Sequence, residues 1–207
     1  MKYFKKITAA ALALSMAFGL TGCTGGKLNG KKLEANAKKF GADQVKDADE
    51  YEDLFDDRDL EDGVYITVSG KDVKDIFKVD TDFSIDDLYD KTIKKATIFS
   101  LLNDDDDYFV FVCSLTFGSK KDAQEYYDEM IDDMDDDVFE VEDGKENGVT
   151  YTVGVAEDYF YEGGTGIYMN GSTVVVVLAV GTGDIDDAYD VMEEVTEGYD
   201  LVLPSDI

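Results

Sequence analysis

Chemistry in a protein needs residues of the right type at a workable spacing, and this chain is unusual in which types it holds. It has no histidine, the side chain that most often moves protons near neutral pH. A cysteine nucleophile needs a base beside it, and Cys113 stands in an apolar run between Val112 and Ser114, the setting of a small core residue. Carboxylates are abundant, 48 in 207 residues, and that abundance removes the signal that would single out a catalytic pair. A carboxylate-based hydrolase is therefore the weakest of the functional readings, and the chain is expected not to be an enzyme. Oxygen-rich cation binding is sharper. Asp104, Asp105, Asp106 and Asp107 crowd one turn, and Asp132, Asp133, Asp135, Asp136 and Asp137 crowd another stretch. Calcium takes six to eight oxygens from a loop. The calcium-loop pattern starts at Asp133, Asp135 and Asp137 but fails where Val138 replaces the turn glycine and Gly144 replaces the bidentate glutamate. The plain reading of both clusters is a solvated acidic surface, with a calcium-binding surface protein as the alternative.

A third feature suits recognition. Tyr159, Phe160 and Tyr161 are consecutive aromatics followed by Glu162-Gly163-Gly164. Alternating side chains of a strand cannot all face inward, and tyrosine with glycine is the composition of contact loops. The opposing reading is a bulged strand with one ring over a helix.

The remaining reactive position is Cys23. It closes the run Leu20-Thr21-Gly22-Cys23, which follows a cationic start (Lys2, Lys5, Lys6) and an apolar stretch over residues 7–20. That stretch is short for a bilayer span, which takes ~20 apolar residues. A positive n-region, an apolar h-region and small residues at the cut make an export signal. The ending resembles the lipobox of bacterial lipoproteins. The resemblance covers residues 1–23 only. It implies cleavage before Cys23, a diacylglycerol (palmitate-type chains) on that thiol, and a mature protein lipid-anchored at the extracytoplasmic face of the cell membrane. Two acyl chains at one residue suffice for stable anchoring.

Charge narrows the partners. Without residues 1–22 the chain carries 16 basic against 48 acidic residues, a net of −32. Nucleic-acid binding rests on lysine and arginine contacts to phosphate, so nucleic acid is excluded as a partner. The partners left are the membrane, through the lipid on Cys23, and a cationic protein or ligand. No cofactor is expected. Residues 27–46 hold six lysines against Glu34 and Asp43, whereas from Asp122 onward Lys145 stands alone against 25 acidic residues. The basic segment lies nearest the membrane; it is either lipid-facing or simply a solvated helix.

The elements that must position these groups follow from periodicity. Residues 23–30 read as a flexible tether and residues 31–207 as an acidic α+β domain, with 25 tyrosines plus phenylalanines to build its core. Helices are predicted over residues 31–40 with Gly41 as stop, from Asp47 or Asp49 to about 57, from 84 to 91, from Ser119 to about 134, and from Asp184 to about 197. Strands are predicted over 64–68, 95–102, 108–117, 149–156, 166–170 and 173–180. Residues 135–148 read as an acidic connector. Asn170-Gly171 is the strongest hairpin signal, and Val174-Val175-Val176-Val177-Leu178 reads as a central strand buried on both faces. The order strand-strand-strand-helix recurs over about 60–135 and 147–198, which raises the possibility of a tandem βββα duplication. The expected fold is an antiparallel sheet with helices packed on one face.

Overall fold

A computed structural model describes residues 28–56, 60–76, 93–103, 108–134, 140–157, 162–182 and 185–207. Five helices alternate with strands: α1 (Gly30–Phe40), β1 (Asp43–Gln44), α2 (Ala48–Asp56), β2 (Val64–Ser69), α3 (Val73–Ile76) after a 3-10 turn, β3 (Ile93–Asn103), β4 (Tyr108–Phe117), α4 (Lys120–Met134), β5 (Glu140–Glu146), β6 (Val149–Glu157), β7 (Glu162–Asn170), β8 (Thr173–Gly181) and α5 (Asp186–Val195), with a last 3-10 turn at Pro204–Asp206. The strands form one eight-stranded sheet in the order β1-β2-β3-β4-β8-β7-β6-β5. Every pairing is antiparallel except the two-residue parallel contact of β1 with β2. The α+β class with an antiparallel sheet holds.

The helices depart from expectation. They cover both faces of the sheet instead of one. On one face Tyr51 of α2, Val73 and Ile76 of α3, and Tyr126, Tyr127 and Ile131 of α4 pack with Ile66, Ile98, Cys113 and Ile167. On the other, Leu33 and Ala37 of α1 and Ala188, Met192 and Val195 of α5 pack with Tyr65, Phe99, Val112 and Val177. The reason lies in β8. Val174, Val175 and Val177 are fully buried although they point alternately to opposite faces, so apolar surface must be covered on both sides. The strand order reads inward as β2-β3-β4 from one side and β6-β7-β8 from the other, meeting where β4 pairs with β8. The helices that follow these triplets, α4 and α5, lie on opposite faces.

Local signals account for both ends of α1 and the starts of α2 and α4. Asn29 Oδ1 accepts from the Lys32 amide and Gly41 closes α1 at φ 108°. Asp47 accepts from the Glu50 amide, and Ser119 from the Asp122 amide. The predicted helix over 84–91 and the Asp184 cap lie outside the described residues. Besides the short β1, α3 and the 3-10 turns, one longer element was not expected. The acidic connector contains β5, an edge strand whose side chains are mostly exposed. Its charge hides it from any apolar pattern, and the same charge guards the sheet edge against further pairing. The turn that follows, Asn147-Gly148 with φ 52° and 88°, provides the left-handed pair that a tight hairpin needs.

Candidate functional site

The residues singled out from the sequence, Cys23, Asp104–Asp107 and Tyr159–Tyr161, all lie outside the described residues, but the structure places the elements that hold them. Cys23 precedes the fixed fold by five residues. Leu28 is buried, Asn29 caps α1 and Gly30 sits inside the helix over Thr97, so residues 28–30, expected to be tether, belong to the fold. Five residues of extended chain reach at most ~17 Å.

The start of the fold is locked by a residue that the sequence reading passed over. Tyr199 is fully buried, and its hydroxyl accepts from the Leu33 amide at 3.0 Å while donating to the Asn29 carbonyl at 2.6 Å. Burial pushes its pKa up, so it stays a neutral donor. Around it the end of α5 grips α1. Asn36 donates to the Val195 and Glu197 carbonyls, Lys32 lies over the Tyr199 ring and donates to the Gly198 carbonyl, and Lys39 pairs with Glu197 at 2.6 Å. The signal that would have found Tyr199 is a glycine just past a helix, here Gly198 at φ 74°, followed by an aromatic that folds back onto its neighbours. Replacing Tyr199 by Phe removes the partner of the buried Leu33 amide, while the Asn29 carbonyl keeps the Lys32 amide. We expect a loss of ~1–3 kcal/mol in urea unfolding, with the Leu33 amide exchanging faster by a larger factor than those of β8.

The two other candidate segments share one end of the sheet. Asp104–Asp107 joins β3 to β4 and Tyr159–Tyr161 joins β6 to β7, and the flanking strand ends (Asn103, Tyr108, Glu157, Glu162) lie at the end where Tyr108 and Glu162 both stand opposite Gly181. The two junctions are three strand spacings apart, ~14 Å. Glu61, Asp62, Glu140, Glu162, Asp186 and Asp187 are exposed at the same end. Half-buried Tyr189 stands beside them, its pKa raised by burial first and then by Glu162 and Asp186. Among the described residues no three metal-ligating side chains converge. Asp132 is exposed at the end of α4, and residues 135–137 lie outside the described residues. Cys113 is sealed between the sheet and its helices, and burial pushes its thiol pKa up, away from thiolate chemistry.

One polar chain runs through the other half of the sheet. Tyr127 of α4 meets Thr152 of β6 at 2.9 Å, and the Thr152 hydroxyl donates to Asp143 of β5 at 2.5 Å. The chain ties a helix, an inner strand and the edge strand together. On the opposite face the Tyr151 ring covers Gly144, and its hydroxyl donates to Glu142, which raises the Tyr151 pKa to about 12. A side chain at position 144 would collide with that ring, which explains a glycine in the middle of a strand.

No helix among the described residues is long and apolar enough to cross a membrane. No protein-family model matches the chain, and no curated protein matches it. Among solved structures, the extracellular domain of PknH from Mycobacterium tuberculosis is similar over 54% of this chain and 67% of that chain, at 12% identity and a TM-score of 0.37.

Proposed function

We propose that this chain is a bacterial lipoprotein, held by a diacylglycerol on Cys23 at the extracytoplasmic face of the cell membrane, which presents a non-enzymatic α+β interaction module. The observation that carries the reading is the spacing between the lipobox-like cysteine and the fold. Leu28, five residues after Cys23, is buried, and the chain beside it is held by Tyr199 on the Asn29 carbonyl. An acyl chain at residue 23 thus draws the whole globule to the bilayer surface. The partner that suits it is a cationic protein or ligand, because one end of the sheet carries the exposed carboxylates of Glu61, Asp62, Glu140, Glu162, Asp186 and Asp187. A non-catalytic role accords with the absence of histidine and the sealed thiol of Cys113.

The test is Cys23→Ser expressed in a bacterium. The parent chain should enter the membrane fraction and the detergent phase of a phase-separating detergent, with the mass of a lipid on its first residue. The variant should leave both. A parent chain found in the cytosol, or a variant that still partitions with lipid, overturns the reading.

A further inference from the structure

The face of the sheet that carries α2 and α4 is closed unevenly. The inner stripe of each helix can be followed from contacts one turn apart. On α2, Tyr51 meets Ser100 of β3 at 2.7 Å, and Phe55, four residues on, meets Phe109 of β4 with ring centroids 6.0 Å apart. On α4, Tyr127 turns to Thr152 of β6, whereas Tyr126 turns to Phe117 of β4 with centroids 5.3 Å apart. Met130 and Met134 continue the Tyr126 stripe in steps of four, so they line the β4 side of that helix. Between the two stripes lies a trough. Its floor is Phe109 and Phe111, stacked along β4, and Leu178, which is opposite Phe111 on β8. Phe55, Phe109, Leu178, Met130 and Met134 stay half-buried, as do Leu54 and Leu102 beside them. The rim is anionic. Glu52 and Asp53 are exposed on α2, and Asp128, Glu129 and Asp132 on α4. Both helices run toward the end of the sheet where Asn103 faces Tyr108, and neither has a basic residue in its last turn to meet its partly negative carbonyl end.

An apolar floor, two adaptable methionines and a negative rim together select a ligand that is apolar on one side and cationic on the other. A second copy of this chain is a poor occupant, because a net charge of −29 over the sequence repels its like. Helices already form this layer on either side of the trough, and an amphipathic helix offers its apolar residues as the stripe such a trough takes. We infer that the trough between α2 and α4 is the docking site for a basic amphipathic helix of a partner protein. Its apolar stripe rests on Phe109, Leu178 and the two methionines, and its lysines or arginines lie against the carboxylates of α2 and α4. The inference rests on the cationic-partner reading above and narrows it to one surface and one kind of ligand.

The test uses residues 23–207 with Cys23→Ser, free of lipid and isotope-labelled at the methionine methyl groups. Met169 and Met192 are buried in the core and serve as internal controls for Met130 and Met134. The probe is a synthetic helical peptide of leucines and lysines with the leucines on one face, and the comparison peptide has the same composition in scrambled order. The amphipathic peptide should shift the nuclear magnetic resonance signals of Met130 and Met134 and leave those of Met169 and Met192 in place. It should bind at least ~10-fold more tightly than the scrambled peptide at physiological salt. Met130→Gln combined with Met134→Gln keeps side-chain length and helix propensity, and should weaken the amphipathic peptide ~10-fold without affecting the scrambled one. Equal binding of the two peptides, with the Met130 and Met134 signals unmoved, overturns the trough and leaves the cationic-partner reading standing; no binding of either overturns both. A leucine–glutamate peptide of the same pattern that binds as well assigns the trough to apolar ligands of any charge and overturns the inference. So do Met130 and Met134 signals that move with protein concentration alone, the mark of a second copy. Because the protein carries no lipid, none of these outcomes depends on the fractionation of the Cys23→Ser variant.

Discussion

Gly166→Val should cost the fold ~3–5 kcal/mol, overpacking and a broken buried hydrogen bond together, a large share of the usual margin of about 5–15 kcal/mol. A Cβ at position 166 would drive into the ring of Tyr168, two residues along β7 on the same face, with the ring carbon Cζ at 2.7 Å. Tyr168 has no room to move. It is fully buried, and its hydroxyl donates to the Val202 carbonyl at 2.7 Å. Displacing the ring breaks that bond and lifts the C-terminal segment from the sheet. The neighbouring Gly164 serves the same segment: a Cβ there would strike Pro204 and meet the Tyr189 hydroxyl at 2.8 Å. These two glycines form a trough in β7 into which residues 202–206 settle, closed by the Asp206 carboxylate accepting from the Leu203 amide. The measurement is urea unfolding of parent and variant followed by circular dichroism. A Gly166→Val midpoint within error of the parent would refute the account of the trough.

Alkaline unfolding is the second large effect. Tyr51, Tyr127, Tyr168 and Tyr199 all have pKa values raised by burial above that of a free tyrosine. Their neutral hydroxyls are used: Tyr51 meets Ser100 at 2.7 Å, and the other three make the bonds already described. The sign follows from linkage. The folded state holds these protons more tightly than the unfolded chain, so the stability they contribute is complete below the unfolded tyrosine pKa of ~10 and is lost as pH rises through the folded values. Each buried tyrosine removes ~1.4 kcal/mol per pH unit above 10, and four together remove ~5 kcal/mol by pH 11. Tyr151, whose hydroxyl reaches the sheet edge beside Glu142, titrates in the same direction near 12 and adds less because water reaches it. The chain should therefore unfold cooperatively between pH 10 and 12, with tyrosinate absorbance rising in the same transition as the loss of circular dichroism. Tyrosines that ionise one by one ahead of unfolding would contradict the burial argument.

How far the fold was legible depended on whether a signal was local. Gly41, Asp47 and Ser119 announce helix ends because a cap is a contact between residues three or four apart. The valine run of β8 announced a strand buried twice over, and that alone conflicts with helices on one face. The expectation of a single helix layer treated the sheet by its class instead of by that strand. The edge strand β5 was invisible because Glu140, Glu142, Asp143 and Glu146 carry no apolar alternation. It pairs only because β6 offers it backbone groups and a two-residue turn sets the register. Tyr199 and the trough glycines were missed for a different reason. Their partners, Leu33 for the first and Pro204 for Gly164, lie 166 and 40 residues away, and no spacing rule reaches across that distance.

What the sequence determined by itself is therefore the covalent and compositional part of this protein. It sets a cysteine at the close of a lipobox-like run, a chain with net charge far below zero, no histidine, and local caps and apolar periods that set most elements within a few residues. Only the tertiary structure decided where the charge goes. Three of the six lysines that look like a membrane-facing run in the sequence, Lys38, Lys46 and Lys39, are paired with Glu34, Glu50 and Glu197. Lys71, Lys95 and Lys120, far apart in the sequence, come together because the ends of β2, β3 and β4 adjoin. Charge in a sequence is a sum, whereas the field it makes depends on which strand ends adjoin, and antiparallel register settles that through backbone pairing that is indifferent to the side chains it carries along.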